Sequence, residues 1–183
     1  MKSNILGIDI STSVIGLAVM STDYKLITYD KLKFKSDMPL EKRADYFANK
    51  IKHLDDYYYI TEVYIEQPAM MFGRGKTTAN TMSKLQRFNG MCCYAVYSEL
   101  ELIPNLVHAN TARKKMNISV PRNVLKKKHY IIERVKDRYP NFNYNITRHG
   151  NPQPGTDDIA DAIVVAYAGV SIILEGENEE RKT

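Results

Sequence analysis

Cysteine is nearly absent: among 183 residues there are two, and they are neighbours, Cys92 and Cys93. Adjacent cysteines inside what reads as a helix cannot close an ordinary structural disulfide and lack metal-ligand spacing. They read as packing residues in a reducing compartment. A run of about eighteen apolar residues is also missing, as is a charged, apolar, small-residue leader. The expectation is a cytoplasmic protein with no membrane partner. There is no internal repeat and no low-complexity segment, so the chain reads as one domain over 1–174 followed by a charged tail, 175–183. Glycine-rich phosphate loops are scarce too. Gly7-Ile8-Asp9-Ile10-Ser11-Thr12-Ser13 has the look of an ATPase phosphate loop, but only Phe72-Gly73-Arg74-Gly75 is available as a second, and the chain has no room for a second lobe.

What the chain does have is acid in apolar company. Asp9 lies within Ile5-Leu6-Gly7-Ile8-Asp9-Ile10, Glu66 closes Val63-Tyr64-Ile65-Glu66, and Asp158 and Asp161 open an apolar segment that continues to about Leu174. A carboxylate buried against apolar neighbours costs several kcal/mol unless something compensates, and acids that converge repel one another. Bound Mg²⁺ is the simplest compensation, two ions with Mn²⁺ able to substitute. Two hard cations about 4 Å apart on carboxylate oxygens can activate water and steady the leaving oxygen of a phosphodiester. Asp9, Glu66, Asp158 and Asp161 are therefore the candidate metal ligands and catalytic residues. Asp157, by contrast, reads as a first-turn acid favoured by the helix dipole. His149, in a polar loop ahead of the last helix, is at most an accessory near the metals.

Charge is unevenly spread. From Asn110 to Arg148 there are eleven Lys/Arg against Glu133 and Asp137, a net +9 in a chain whose total is +5. That concentration exceeds what a solvated helix face needs and points to a polyanion. The candidate contacts to nucleic acid are Arg113, Lys114, Lys126, Lys127 and Lys128 within it, and Phe72, Arg74, Lys76, Lys84 and Arg87 outside it.

Hydrophobic periodicity supplies the elements. Strands are expected at 5–10, 14–20 and 26–34, with a turn at Thr22-Asp23, then an amphipathic helix over 40–54 opened by Pro39. A strand at 62–66 and a loop at 69–76 lead into a long helix, 78–100. A short strand at 106–108, a short basic helix capped by Asn110 or Thr111, a helix over 122–139 opened by Pro121 and a final helix from Asp157 capped by Thr156 complete the chain. This order gives an α/β fold, a mixed five-stranded sheet with helices on both faces. The helix 78–100 carries one apolar stripe through Met82, Leu85, Phe88, Cys92 and Ala95 and a second through Met91, Tyr94 and Tyr97. Two apolar faces imply burial twice over, or burial once and self-association.

Taken in order, these motifs resemble the RuvC family of Holliday junction resolvases, within the ribonuclease H-like nuclease superfamily. Gly7 to Val19 is similar to the family's opening strand pair with its first acid, and Val63-Tyr64-Ile65-Glu66-Gln67-Pro68 to its second acidic strand. Lys84-Leu85-Gln86-Arg87-Phe88-Asn89-Gly90 resembles the helix that follows, and Asp158 to Ala166 the closing helix. The resemblance implies a single ribonuclease H-like domain in which Asp9, Glu66, Asp158 and Asp161 bind metal. It implies a homodimer that nicks a four-way junction symmetrically, with branched DNA as partner. It also implies basic residues at the site's edge, here Arg113 or Lys114 and one of Lys126, Lys127 and Lys128. The family's aromatic three residues after the Glu is replaced by Ala69, and the nearest aromatic is Phe72. Two other functions share the same chemistry or fold: a nuclease for RNA–DNA hybrids, flaps or other branched DNA, and a non-catalytic junction-binding protein.

Overall fold

A computed structural model describes residues 3–68 and 78–180. Near-continuous apolar runs build β1 (Asn4–Ile10) and β2 (Val14–Ser21), and the half-exposed edge strand β3 (Leu26–Lys33) completes an antiparallel meander. A helix, α1 (Leu40–Tyr58), returns the chain so that β4 (Ile60–Glu66) lies parallel to β1, and α2 (Ala79–Leu100) returns it again so that β5 (Asn105–Val107) lies parallel to β4. Three helices follow, α3 (Ala109–Lys115), α4 (Lys127–Arg138) and α5 (Thr156–Glu180). The sheet order is β3-β2-β1-β4-β5.

Side chains alternate across a strand, so β1 feeds two cores. Leu6, Ile8 and Ile10 join Ile15, Leu17 and Val19 under α1 and α2, with Phe47, Ile51, Phe88 and Cys92 closing that layer. Ile5, Ala18 and Met20 face the other way, into a core made by α5 with Ile131, Ile132 and Val135 of α4 and Ala112 of α3. Helices thus cover both faces, as the sequence pattern requires.

Several boundaries differ from the sequence reading, each for a packing reason. The helix expected over 122–139 begins only at Lys127, because the first residues behind Pro121 have no surface to bury against and Leu125 is 99% exposed. The short basic helix starts two to three residues early, on His108, which makes no side-chain cap bond, so Asn110 and Thr111 fall inside its first turn. Thr156 is the first residue of α5 rather than its cap. The last helix continues into the charged tail: α5 runs on to Glu180, and Glu175 pairs with Lys115. Among the described residues α5 alone is long and apolar enough to cross a membrane by length and composition, contrary to expectation, but 67% of that stretch is buried inside the protein. It is the core helix of the fold.

Candidate active site

Asp9 shares a face of β1 with Ile5 and Gly7, the face that α5 covers. The approach there is close. A Cβ on Gly7 would fall 2.4 Å from the Ala162 carbonyl oxygen, and one on Gly16 would fall 2.0 Å from that of Asp158. Only glycine lets the helix backbone come so near the sheet. Gly16 is the cross-strand partner of Asp9, so the first turn of α5 sits against the strand pair at the level of Asp9. On the other side of β1, Ile8 pairs with Ile65, which places Glu66 one residue further on β4, beside Asp9 and on the same face. Asp158 and Asp161, at i and i+3, project from one side of α5.

The electrostatics record this convergence. Burial, and then the charges of Glu66, Asp161, Asp158 and Asp157, hold the Asp9 carboxyl well above the usual range. Burial and Asp161 push Glu66 up to about 7 against the pull of Arg113. Burial and Asp157 push Asp158 up to about 6, with Lys128 opposing. Burial raises Asp161 as well, although Arg113 works against it. Asp157 goes the other way: its burial is outweighed by the hydrogen bond and charge of Lys128 and by backbone N–H groups, and its carboxyl is lowered. That contrast separates Asp157 from the other four, as a dipole and ion-pair acid would be separated.

Two cations touch the group. Arg113 on α3 donates from Nη2 to Asp161 Oδ1 at 3.4 Å, and Lys128 on α4 pairs with Asp157. Lys126 instead donates to Asn151 Oδ1 at 3.1 Å, in the loop ahead of α5. Lys114 and Lys127 line a neighbouring cavity. Lys84 and Arg87 are exposed on α2, the other layer of the fold, and touch none of the acids. Phe72, Arg74 and Lys76 lie outside the described residues, as does Ala69. His149 is exposed and accepts from Arg148 Nε at 3.0 Å, not from or to an acid.

The donor set is four hard oxygen ligands without nitrogen or sulfur, the chemistry that suits Mg²⁺ or Mn²⁺. As the side chains stand, no three His, Cys, Asp or Glu among the described residues come close enough to hold one ion. Mg²⁺ ordinarily takes only one or two protein carboxylates together with substrate phosphate and water. The residues fit the ion class through the chemistry of their donor oxygens.

Arg43 was not singled out by its sequence. It sits buried on the apolar side of α1 and donates to the carbonyls of Thr12, Lys35, Ser36 and Met38. Through Thr12 it fixes the β1–β2 turn that follows Asp9. Its position between Leu40 and Phe47 on the amphipathic stripe was the available signal: a charge there has to find partners.

No protein-family model matches the chain, and no curated protein sequence does. Solved structures do. Thermus thermophilus RuvC in complex with a Holliday junction substrate superimposes with a TM-score of 0.67 at 13% identity, over 95% of this chain and 96% of that one. The fold is that of RuvC. A second Thermus thermophilus RuvC structure gives 0.64 at 14% identity, covering 94% of this chain and 96% of that one. The yeast mitochondrial Holliday junction resolvase gives 0.62 at 14% identity, covering 93% of this chain and 78% of its own. The RuvC-like fold accounts for the strand order, the parallel pairing of β1 with β4, and the long helix that crosses both.

Proposed function

We propose that this protein is a divalent-metal-dependent endonuclease that resolves four-way DNA junctions as a homodimer by paired symmetric nicks. The observation that carries the reading is the placement of Asp9 and Glu66, side by side on the face of β1 and β4 that the acidic first turns of α5 cover, within a RuvC-like fold. Asp9, Glu66, Asp158 and Asp161 would hold two Mg²⁺ ions, with Mn²⁺ as substitute. Bound there, the metals supply Lewis-acid stabilisation of the phosphoryl oxygens and a water of lowered pKa. The chain's own groups prepare the site. Ionisation of the four acids is opposed by burial and mutual repulsion, which leaves a strong demand for positive charge. Arg113 keeps Asp161 from rotating freely and offsets its charge, and Lys128 does the same for Asp157. The basic stretch from α3 to α4 lies on this face and suits the phosphates of a DNA strand.

The homodimer rests on α2. Tyr94 and Tyr97 are 70% and 56% exposed, and Met91, Tyr94 and Ala95 flank an open groove of about 340 Å³ against Ala44 and Ala48 of α1. Glu41, Asp45 and Glu99 also line the groove, so what a self-complementary interface would use there is the exposed aromatics and the small apolar residues between those charges.

The test is cleavage of labelled four-way junctions in Mg²⁺ or Mn²⁺, with linear duplex, flap and RNA–DNA hybrid controls, by this protein and by Asp9→Asn. Paired, ligatable nicks on the junction alone are expected, lost in Asp9→Asn while junction binding survives. Preferred cutting of the flap or hybrid would keep the metal site and remove the junction role. Cutting of nothing would leave a junction-binding protein. Sedimentation of Tyr94→Glu/Tyr97→Glu as a monomer, against a dimer for the unaltered protein, checks the interface.

A further inference from the structure

Between α3 and α4, next to the acids but separate from them, lies a cavity of about 600 Å³. Its charge is all of one sign. Arg113, Lys114 and Lys127 line it and no carboxylate does. Arg113 is shared between the two sites: Nη2 reaches Asp161, while its buried Nε has no hydrogen-bond partner. Lys114 and Lys127 have no partner among the described residues. Two unpaired lysines and an arginine only partly engaged by Asp161 surround one hollow; they repel each other, and an anion relieves them. The N-terminal end of α4, where Lys126 makes no side-chain cap bond and no acid occupies the first turn, favours negative charge in the same direction.

A bare phosphate explains neither the size nor the rest of the wall. Ile118 and Ile131 provide a buried apolar side, and Asn110 and Asn117 bring two side-chain amides, each both donor and acceptor. Sites of about 300–1,000 Å³ with an apolar wall and a few convergent polar groups hold molecules of nucleotide size. We propose that this cavity receives one nucleotide of the strand being cut, flanking the scissile phosphate, with its phosphate on Lys114 and Lys127 and its base against Ile118 and Ile131. The Asn110 and Asn117 amides read the edge of that base, which makes the cavity a determinant of cleavage-site preference. The inference rests on the nuclease reading for its strand, and on the cavity alone for its ligand class.

Two experiments separate those dependencies. In the first, deoxynucleoside 5′-monophosphates, inorganic phosphate and uncharged deoxynucleosides are titrated into the metal-free protein while NMR signals of Ile118 and Ile131 are followed. Nucleotides should shift both, at least about tenfold more tightly than phosphate or nucleoside alone, and Lys114→Ala/Lys127→Ala should weaken them by a similar factor. Phosphate binding as well as nucleotide, or no shift at all, overturns the pocket.

In the second, junctions with randomised bases at the crossover are cut and the sites sequenced. Asn117 has a φ of 57°, so Asn117→Gly removes the amide without straining the backbone, and Asn110→Ala removes the other. Each should flatten the preference at one position beside the cut by about tenfold, counted per cut made and so insensitive to a general loss of folded protein. The lysine pair should lower total cutting and leave the preference intact. A flat preference in the unaltered protein, or one that survives both amide changes, overturns base reading. Nucleotide binding without junction cleavage would sink the resolvase reading and keep the pocket; junction cleavage without nucleotide binding would do the reverse.

Discussion

On one face of the sheet, Leu6, Ile8 and Ile10 disappear under α1 and α2 into a core with no acid in it. On the other, Ile5, Gly7 and Asp9 of the same strand lie under α5, and the far end of that layer holds four carboxylates whose ionisation the surroundings oppose. One strand, alternating by a single residue, serves both. The apolar face carries the stability and, at its outer surface, an exposed aromatic stripe. The acidic face gives up stability for a site, because burial opposes the ionisation of Asp9, Glu66, Asp158 and Asp161, while Lys128 holds Asp157 beside them ionised.

The sharpest way to break the comparison is to remove one charge from the acidic face. Asp9→Asn should abolish metal-dependent cleavage, by roughly 10³-fold or more as for other groups that act as a unit. It should also stabilise the metal-free protein at neutral pH, since it deletes an acid whose ionisation is opposed by burial and by the charges of Glu66, Asp161, Asp158 and Asp157. A melting temperature that falls in Asp9→Asn would show that Asp9 is held by favourable partners instead.

Titration sharpens the same contrast. Groups whose folded pKa is raised hold protons more tightly than the unfolded chain does, so the stability they contribute is present at low pH and lost as pH rises. For Glu66 the window runs from its ordinary 4.5 to about 7, and for Asp158 from 3.8 to about 6. The metal-free protein should therefore lose stability as pH rises through these windows, on the order of 3 kcal/mol for the Glu66 shift taken alone. Saturating Mg²⁺ or Mn²⁺ should restore it at neutral pH and do little at pH 4. Thermal melts with and without metal across that range decide the matter; a pH-independent metal effect would place the ions elsewhere.

The sequence made the faces legible and left their junction obscure. Short apolar runs bounded by turns placed all five strands to within two residues, because a strand covered on both faces, as β1 and β2 are, has to be apolar on both. The four acids stood out because each sits where apolar neighbours make a charge expensive. What could not be read was the approach of α5 to the sheet. It depends on Gly16 lying across from Asp9, a register set by the turn at Ser11–Ser13 and by Arg43 holding Thr12. The late start of α4 was hidden as well, since Leu125 looks like a core residue until no neighbour is found for it.

That approach can be tested directly. A methyl on Gly16 would meet the Asp158 carbonyl, which is backbone and cannot swing aside. Gly16→Ala should cost about 1–3 kcal/mol by overpacking, and each kcal/mol lowers Tm by about 2–4 °C in a chain of this size. It should also reduce cleavage by shifting Asp158 away from Asp9. Loss of stability with full activity would show that the metals tolerate a displaced α5.

The smallest effect belongs to Lys128, at the rim where the two kinds of charge meet. Its side chain is 73% exposed and its pair with Asp157 is open to water, so Lys128→Ala should cost less than about 1 kcal/mol of stability. Its influence on the acids is more specific. Lys128 opposes the upward shift of Asp158 and holds Asp157 low. Without it both carboxyls rise, and a metal binding there has to displace protons that the unaltered protein has already released. Metal affinity measured by calorimetry should fall near pH 6 and match the unaltered protein well above neutrality. An equal loss at both would mean that Lys128 acts on the ions through position instead of through the titration of its neighbours.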